Sequence, residues 1–201
     1  MEAQSKSPAE QLLEVLKSLC AGALREAVVE RGDVVVCVSA DQVSSVLKSC
    51  KESPQTDFAM LIDITAVDWM DSRPERFEVV YQLLSISKRA RLTIKVPLSE
   101  DKPEIASATS LWNGANFLER EVWDMFGIKF VGHPDLRRIL MYEEFVGHPL
   151  RKDYPVQGKQ PRIPLRYPEV ENTARRMQRG DLVTIRSRSR GSGQSAEGQG
   201  A

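Results

Sequence analysis

Leu12, Leu16, Leu19, Ala23 and Ala27 recur at three- and four-residue spacing, so the chain opens on a predicted amphipathic helix over about 9–29, ended by Gly32. The period then changes. The run DVVVCV at 33–38 is short and β-branched, as a buried strand is. Ser39-Ala40-Asp41-Gln42 has the form of a capping box and predicts a second helix with Val43, Val46, Leu47 and Cys50 on one face, closed by Ser53-Pro54. Three strands are expected next. The first spans 58–67 (FAMLIDITAV), and the second spans 77–87 (FEVVYQLLSIS) after a turn at Arg73-Pro74-Glu75. The third follows a basic turn at Lys88-Arg89. There Ala90, Leu92, Ile94 and Val96 alternate with Arg91, Thr93 and Lys95, the period-two signature of a half-exposed antiparallel strand. Joined by short turns, the three read as a meander.

A third helical region follows. Asp101-Lys102-Pro103-Glu104 offers cap chemistry for its start, and Leu111, Ala115, Leu118, Val122 and Met125 form one apolar stripe. Asn113-Gly114 is a candidate break, and Gly127 is placed as the C-terminal cap. Beyond Gly127, prolines at 134, 149, 155, 161, 164 and 168 interrupt every possible element. Residues preceding proline are pushed towards β or polyproline geometry, so His133 and His148 are expected to be extended. Residues 128–170 are too poor in apolar side chains to build a core and read as an extended docking arm. Residues 185–201, with Arg186-Ser187-Arg188-Ser189-Arg190 and a Gly/Ser/Gln tail, read as disordered. The expected fold class is α+β: a domain over 9–127 with a small mixed sheet and helices on one side, followed by the Pro-rich C-terminal arm.

Composition narrows the function. Lys plus Arg number 28 and Asp plus Glu number 28, a balance that gives no reason to expect nucleic acid or an anionic membrane as partner. No apolar run approaches the roughly 20 residues that span a bilayer, and residues 1–10 lack the pattern of a signal peptide. Cys20, Cys37 and Cys50 form no C-x-x-C and read as small buried residues of a reducing compartment, too few for an iron–sulfur cluster. Nucleotide, hydrolase and zinc-protease motifs are absent from the sequence.

Chemically rich residues concentrate in one place. The protein's two histidines both stand in Gly-His-Pro settings, Gly132-His133-Pro134-Asp135-Leu136-Arg137-Arg138 and Gly147-His148-Pro149-Leu150-Arg151-Lys152-Asp153, 15 residues apart. Two imidazoles with no evident third ligand make a poor metal site, whereas a tight turn with the ring bonded to backbone or carboxylate suits them. Glu119 and Glu121 point about 200° apart on a helix, so they cannot act jointly as acid and base, and Arg120 with Asp124 has the spacing of a surface ion pair. Arg137, Arg138, Arg151 and Lys152 are interleaved with Asp135, Glu143, Glu144 and Asp153, a mixed-sign pattern that suits protein docking better than phosphate binding. Trp123, Phe126, Phe130 and Tyr154 add aromatic anchors.

The segment 119–140, EREVWDMFGIKFVGHPDLRRIL, together with 147–155, GHPLRKDYP, closely resembles the signature of the C subunit (the thirty-kilodalton subunit) of proton-pumping NADH:quinone oxidoreductase, respiratory complex I. The resemblance is dense over 117–155. It implies a non-catalytic, hydrophilic subunit whose arm docks on the D (forty-nine-kilodalton) subunit beside other peripheral-arm subunits and supports the quinone-reducing module. It further implies no cofactor on this chain, with FMN and the iron–sulfur clusters on other subunits. The location implied is the cytoplasmic side of the inner membrane, held there through the complex. Carried over residue by residue, the partner contacts would be Glu119, Glu121, Trp123, Asp124, Phe126, His133, Pro134, Arg137, Arg138, His148, Pro149, Arg151, Lys152, Asp153 and Tyr154. Related subunits serve ion-pumping hydrogenases and other electron-input variants, which are distinguished by the large subunit that copurifies. A stand-alone metalloenzyme using both histidines, or a nucleic-acid binder using the Arg-Ser tail, are the remaining alternatives.

Overall fold

The computed structural model of the chain describes residues 7–157 and 160; the remainder of the expected arm and the 185–201 tail lie outside them. Helix α1, Pro8–Leu19, starts on a capping box in which Ser7 and Glu10 exchange side-chain-to-backbone hydrogen bonds, with proline in its first turn, and it buries Leu12 and Leu16. It ends ten residues earlier than its apolar spacing predicts. Gly22 turns the chain with φ +81°, and Leu24–Glu30 forms strand β1 instead. β1 pairs antiparallel with β2, Asp33–Val38, through a two-residue turn. Arg31 and Gly32 both have positive φ there (53° and 94°), as a twist-matched hairpin requires. Ser39 caps nothing with its side chain: its hydroxyl accepts from Arg25 Nε at 2.9 Å, and Ala40–Gln42 is a single 3-10 turn before α2, Val43–Glu52. Tertiary pairing with Arg25 has displaced the local cap. The expected apolar face of α2 is buried as read.

Strands β3 (Met60–Asp68), β4 (Phe77–Ser85) and β5 (Ala90–Leu98) form the antiparallel meander, and β2 joins the other side of β5 in parallel. The sheet order is β1-β2-β5-β4-β3. One face carries Val34, Val36, Ile64, Phe77, Val79, Tyr81, Leu83, Leu92, Ile94 and Val96, in one apolar cluster with the buried residues of all three helices. The opposite face carries Val35, Cys37, Gln82, Thr93 and Lys95, by the registers of these strands.

After β5 the expected helix start at 101–104 is instead strand β6, Glu104–Ala106, which pairs in parallel with β7, Lys129–Val131. Between them runs α3, Ala115–Phe126, preceded by turns through Gly114 and closed by Gly127 at φ 76°. Ile128 and Phe130 are buried in the common cluster, so the core continues past the expected boundary at 127. Among the described residues no helix is long and apolar enough to cross a membrane.

Candidate partner interface

Helix α3 buries two carboxylates, each at the centre of a small network. Glu119 is fully buried and accepts from Ser107 Oγ and from the backbone N–H of Ala108, both at 2.6 Å. It thereby ties the start of the 107–114 turns to the helix. Burial pushes its carboxyl up to about 7, against the opposing effect of those two donors. A carboxyl that holds its proton more tightly when folded favours the fold at low pH. That advantage is lost as pH rises from the free value near 4.3 through about 7, a span on the order of 3 kcal/mol. Glu119→Gln can accept from Ala108 and donate to Ser107. It is expected to flatten the stability profile between pH 4 and pH 8 and to raise the melting temperature at pH 8. A profile as steep as the parent's in thermal melts would show that another group carries the dependence.

Asp124, also fully buried, receives the arm. Its Oδ2 accepts the consecutive backbone N–H groups of Ile139, Leu140 and Met141 at 3.1, 2.9 and 2.9 Å, while Oδ1 meets Arg138 Nη1 at 2.5 Å. Arg138 goes on to donate to the carbonyls of Phe145 and Gly147 and lies over the Trp123 and Phe145 rings. Burial alone would raise the Asp124 carboxyl; these donors outweigh it and hold the group below the usual carboxylate range. The expected Arg120–Asp124 pair does not form. Arg120 instead donates to the carbonyls of Arg137 and Arg138, so both side chains hold the same stretch of arm.

The two Gly-His-Pro motifs do the same job at opposite ends of α3. His133 accepts from the N–H of Asp135 through Nδ1, which places its proton on Nε2, 3.2 Å from the Asn116 carbonyl. His148 Nδ1 lies 3.0 Å from the Asp124 carbonyl. The two acceptor carbonyls are eight residues apart, about 12 Å along the helix. Both imidazoles bond backbone, as expected. Burial is the largest influence lowering the His148 pKa, and Arg138 and Arg151 lower it further. His148 also explains Gly127: a Cβ there would sit 2.6 Å from the imidazole Nε2.

A third network, anchored by residues the sequence reading passed over, fixes the far end of the described arm. Buried Arg76 holds buried Asp68 in a two-pronged pair (3.1 and 3.0 Å), Asp153 of the arm at 3.0 Å, and Glu100. Asp68 also accepts the backbone N–H of Lys152 at 2.9 Å. Burial would raise the Asp68 carboxyl, but Arg76 and the amides of Lys152 and Met70 hold it at about 2. Phe77 lies 5.0 Å from the Arg76 guanidinium and 4.9 Å from that of Arg151. Tyr154 stacks on Phe145 at 5.9 Å.

Several residues expected to touch a partner therefore hold the chain itself. Glu119, Asp124 and Phe126 are buried; His133, His148, Arg138 and Asp153 point their polar atoms at their own domain. Trp123 is partly covered, edge-on to His148 at 6.5 Å, and Pro149 is half-buried. Glu121, Pro134, Arg137 and Lys152 face outward. They are joined there by side chains absent from the sequence-based expectation: Ile139, Leu140, Val146, Leu150 and Val156, all exposed. Among the described residues no three His, Cys, Asp or Glu groups converge to hold a metal.

Known proteins share this architecture. The NADH-quinone oxidoreductase C subunit of Citrifermentans bemidjiense is 49% identical over 143 residues, 71% of this chain and 87% of that protein. Its counterpart of the same name from Trichlorobacter lovleyi is 50% identical over 64% of this chain and 78% of its own length. Among solved structures, the trypsin-resistant fragment (1–134) of Nqo5 superposes with a TM-score of 0.55 at 34% identity, covering 64% of this chain and 99% of the fragment. A chain of the membrane-bound sulfane sulfur reductase, an archaeal respiratory membrane complex, superposes with a TM-score of 0.62 at 25% identity, covering 85% of this chain and 93% of its own. The family model described as "Respiratory-chain NADH dehydrogenase, 30 Kd subunit" matches residues 36–160, well over half the sequence, and the chain belongs to that family.

Proposed function

We propose that this chain works as a non-catalytic docking subunit of NADH:quinone oxidoreductase, seating on the D (forty-nine-kilodalton) subunit at the cytoplasmic side of the inner membrane. The observation that carries the reading is the division of labour in segment 133–156. Arg138 and Asp153 turn inward to Asp124 and Arg76, the Lys152 backbone N–H is held by Asp68, and five aliphatic side chains turn outward. Exposed aliphatic groups on an irregular segment are costly in isolation and are what a permanent subunit interface uses. Rim charges at Glu121, Arg137 and Lys152 would set register and orientation. Electron transfer from NADH through FMN and iron–sulfur clusters to quinone, and its coupling to proton translocation, then belong to other subunits of the assembly.

The test is copurification of the tagged full chain from native membranes. Leu140→Glu with Leu150→Glu, at side chains 56% and 55% exposed, is expected to lower recovery of the D subunit by about tenfold or more while the melting temperature of the isolated chain stays put. Undiminished recovery would place the interface elsewhere. A second reading is favoured by the likeness to the sulfane sulfur reductase chain: the same docking role in a complex with a different electron input. Recovery of a D-type subunit without an NADH-oxidising module would establish that alternative.

A further inference from the structure

A cavity of about 390 Å3 opens between the first turns of α1 and the β4–β5 turn and shares no lining residue with the arm or its networks. Its floor is apolar: Leu12 and Val34 are buried, and Ala9, Val15 and Ala90 are half-buried. Its rim is cationic. Lys88, Arg89 and Arg91 are all exposed there, and Asp33 is the one carboxylate among the described lining residues. The whole sequence carries equal numbers of cationic and acidic residues, so this excess is local. The three cations also lack what five other arginines have. Arg25, Arg73, Arg76, Arg137 and Arg138 each hold a carboxylate within 3.2 Å. Among the described residues Lys88, Arg89 and Arg91 hold none. Asp57 reaches the turn, but its carboxylate accepts from Ser87 Oγ at 2.5 Å instead.

The turn holds these cations in place. Besides the Ser87–Asp57 tie, Lys88 N–H donates to Ser85 Oγ and Arg89 N–H to the Ile86 carbonyl, both at 3.3 Å. Arg89 sits at φ 51°, a left-handed conformation that glycine adopts freely and a residue with a Cβ does not. An arginine at such a position serves the turn poorly and the rim well. A volume of this size, with an apolar floor and a few polar groups at its mouth, has the form of a small-ligand site. The floor and the stems of Lys88, Arg89 and Arg91 suit a hydrocarbon, and their charged heads suit an anion. A wholly polar anion would leave the floor unfilled, and a neutral hydrocarbon would leave three cations unpaired. We propose that this cavity binds an amphipathic anion, a short acyl or similar tail ending in a carboxylate or phosphate. The tail lies on Leu12, Val15 and Val34, and the head meets Lys88, Arg89 and Arg91. A free fatty acid and an anionic membrane lipid share this chemistry.

The full chain is titrated calorimetrically with octyl phosphate, octanol and inorganic phosphate. Octyl phosphate is expected to saturate a single site, and the other two to bind at least about tenfold more weakly, because each supplies half of the match. Lys88→Gln with Arg89→Gly and Arg91→Gln should weaken octyl phosphate by about tenfold, the sum of three exposed charge contacts. Its melting temperature should hold, since glycine suits position 89. Ala9→Trp, which fills the cavity from its wall, should abolish binding. Flotation with phosphatidylglycerol vesicles separates the two sources. Co-flotation that Ala9→Trp abolishes identifies a membrane lipid; octyl phosphate binding without such flotation identifies a free amphiphile. Absence of saturable octyl phosphate binding, equal affinity for inorganic phosphate, or binding that survives in both variants would each overturn the proposal.

Discussion

Asp124→Ala is expected to lower the unfolding free energy by about 3–5 kcal/mol, the range found when one partner of a buried ion pair is removed. The loss extends well beyond one pair. Arg138 is left 14% exposed without its carboxylate, and the N–H groups of Ile139, Leu140 and Met141 lose their common acceptor. Because the Asp124 carboxyl is held low, its contribution is present above the free carboxylate pKa near 3.9 and disappears as pH falls through the depressed folded value. Asp124→Asn keeps the volume and one acceptor and should cost less than alanine. Urea denaturation gives the free energies, and hydrogen exchange at 139–141 gives the local consequence. Amides that stay protected in the alanine variant would mean that Asp124 does not hold the arm.

The sequence alone located this region but not the direction in which its side chains face. Density of charge and aromatics around 119–154 is legible in one dimension; whether a given carboxylate turns inward is not. Glu119 did leave a trace. It stands four residues after Ala115 and three before Val122, inside the apolar stripe, where an unpaired charge would be expelled and a hydrogen-bonded one is retained. Asp124 left none, because its side of α3 is covered by a segment whose path depends on Arg138 and both histidines. The missed hairpin had a local signal: Arg31-Gly32 between two valine runs. The helical coincidence of Ala23 and Ala27 obscured it. The β6–β7 pairing had no local signal, since its strands have three residues each and are joined through a helix. The α2 face, the meander and the Gly127 cap were readable because each is decided by neighbours within a few residues.

Arg76 is where the inward-facing arrangement can be tested most directly, since it joins the sheet to the arm and is only 7% exposed. Arg76→Leu should cost about 3–5 kcal/mol, most of it from Asp68, which at 2% side-chain exposure would keep only amide donors. Its carboxyl would then rise from about 2 towards or above the ordinary value. The parent chain draws stability from Asp68 above pH 3.9 and loses it as pH falls towards 2, so the variant should lack this acid limb. The double variant Arg76→Leu with Asp68→Asn should be more stable than Arg76→Leu alone, because the buried charge leaves with its partner. If the double variant is instead worse by the sum of the singles, Asp68 and Arg76 do not act as a pair. Asp153→Asn separates the sheet from the arm: with Asp153 44% exposed, it should leave the melting temperature nearly unchanged. It should still speed hydrogen exchange at Lys152, because one of the two ties between this stretch and the sheet has gone. A domain that melts normally while residue 152 exchanges freely is the behaviour expected of a docking segment pre-shaped by its own domain, which lowers the ordering cost when the partner binds.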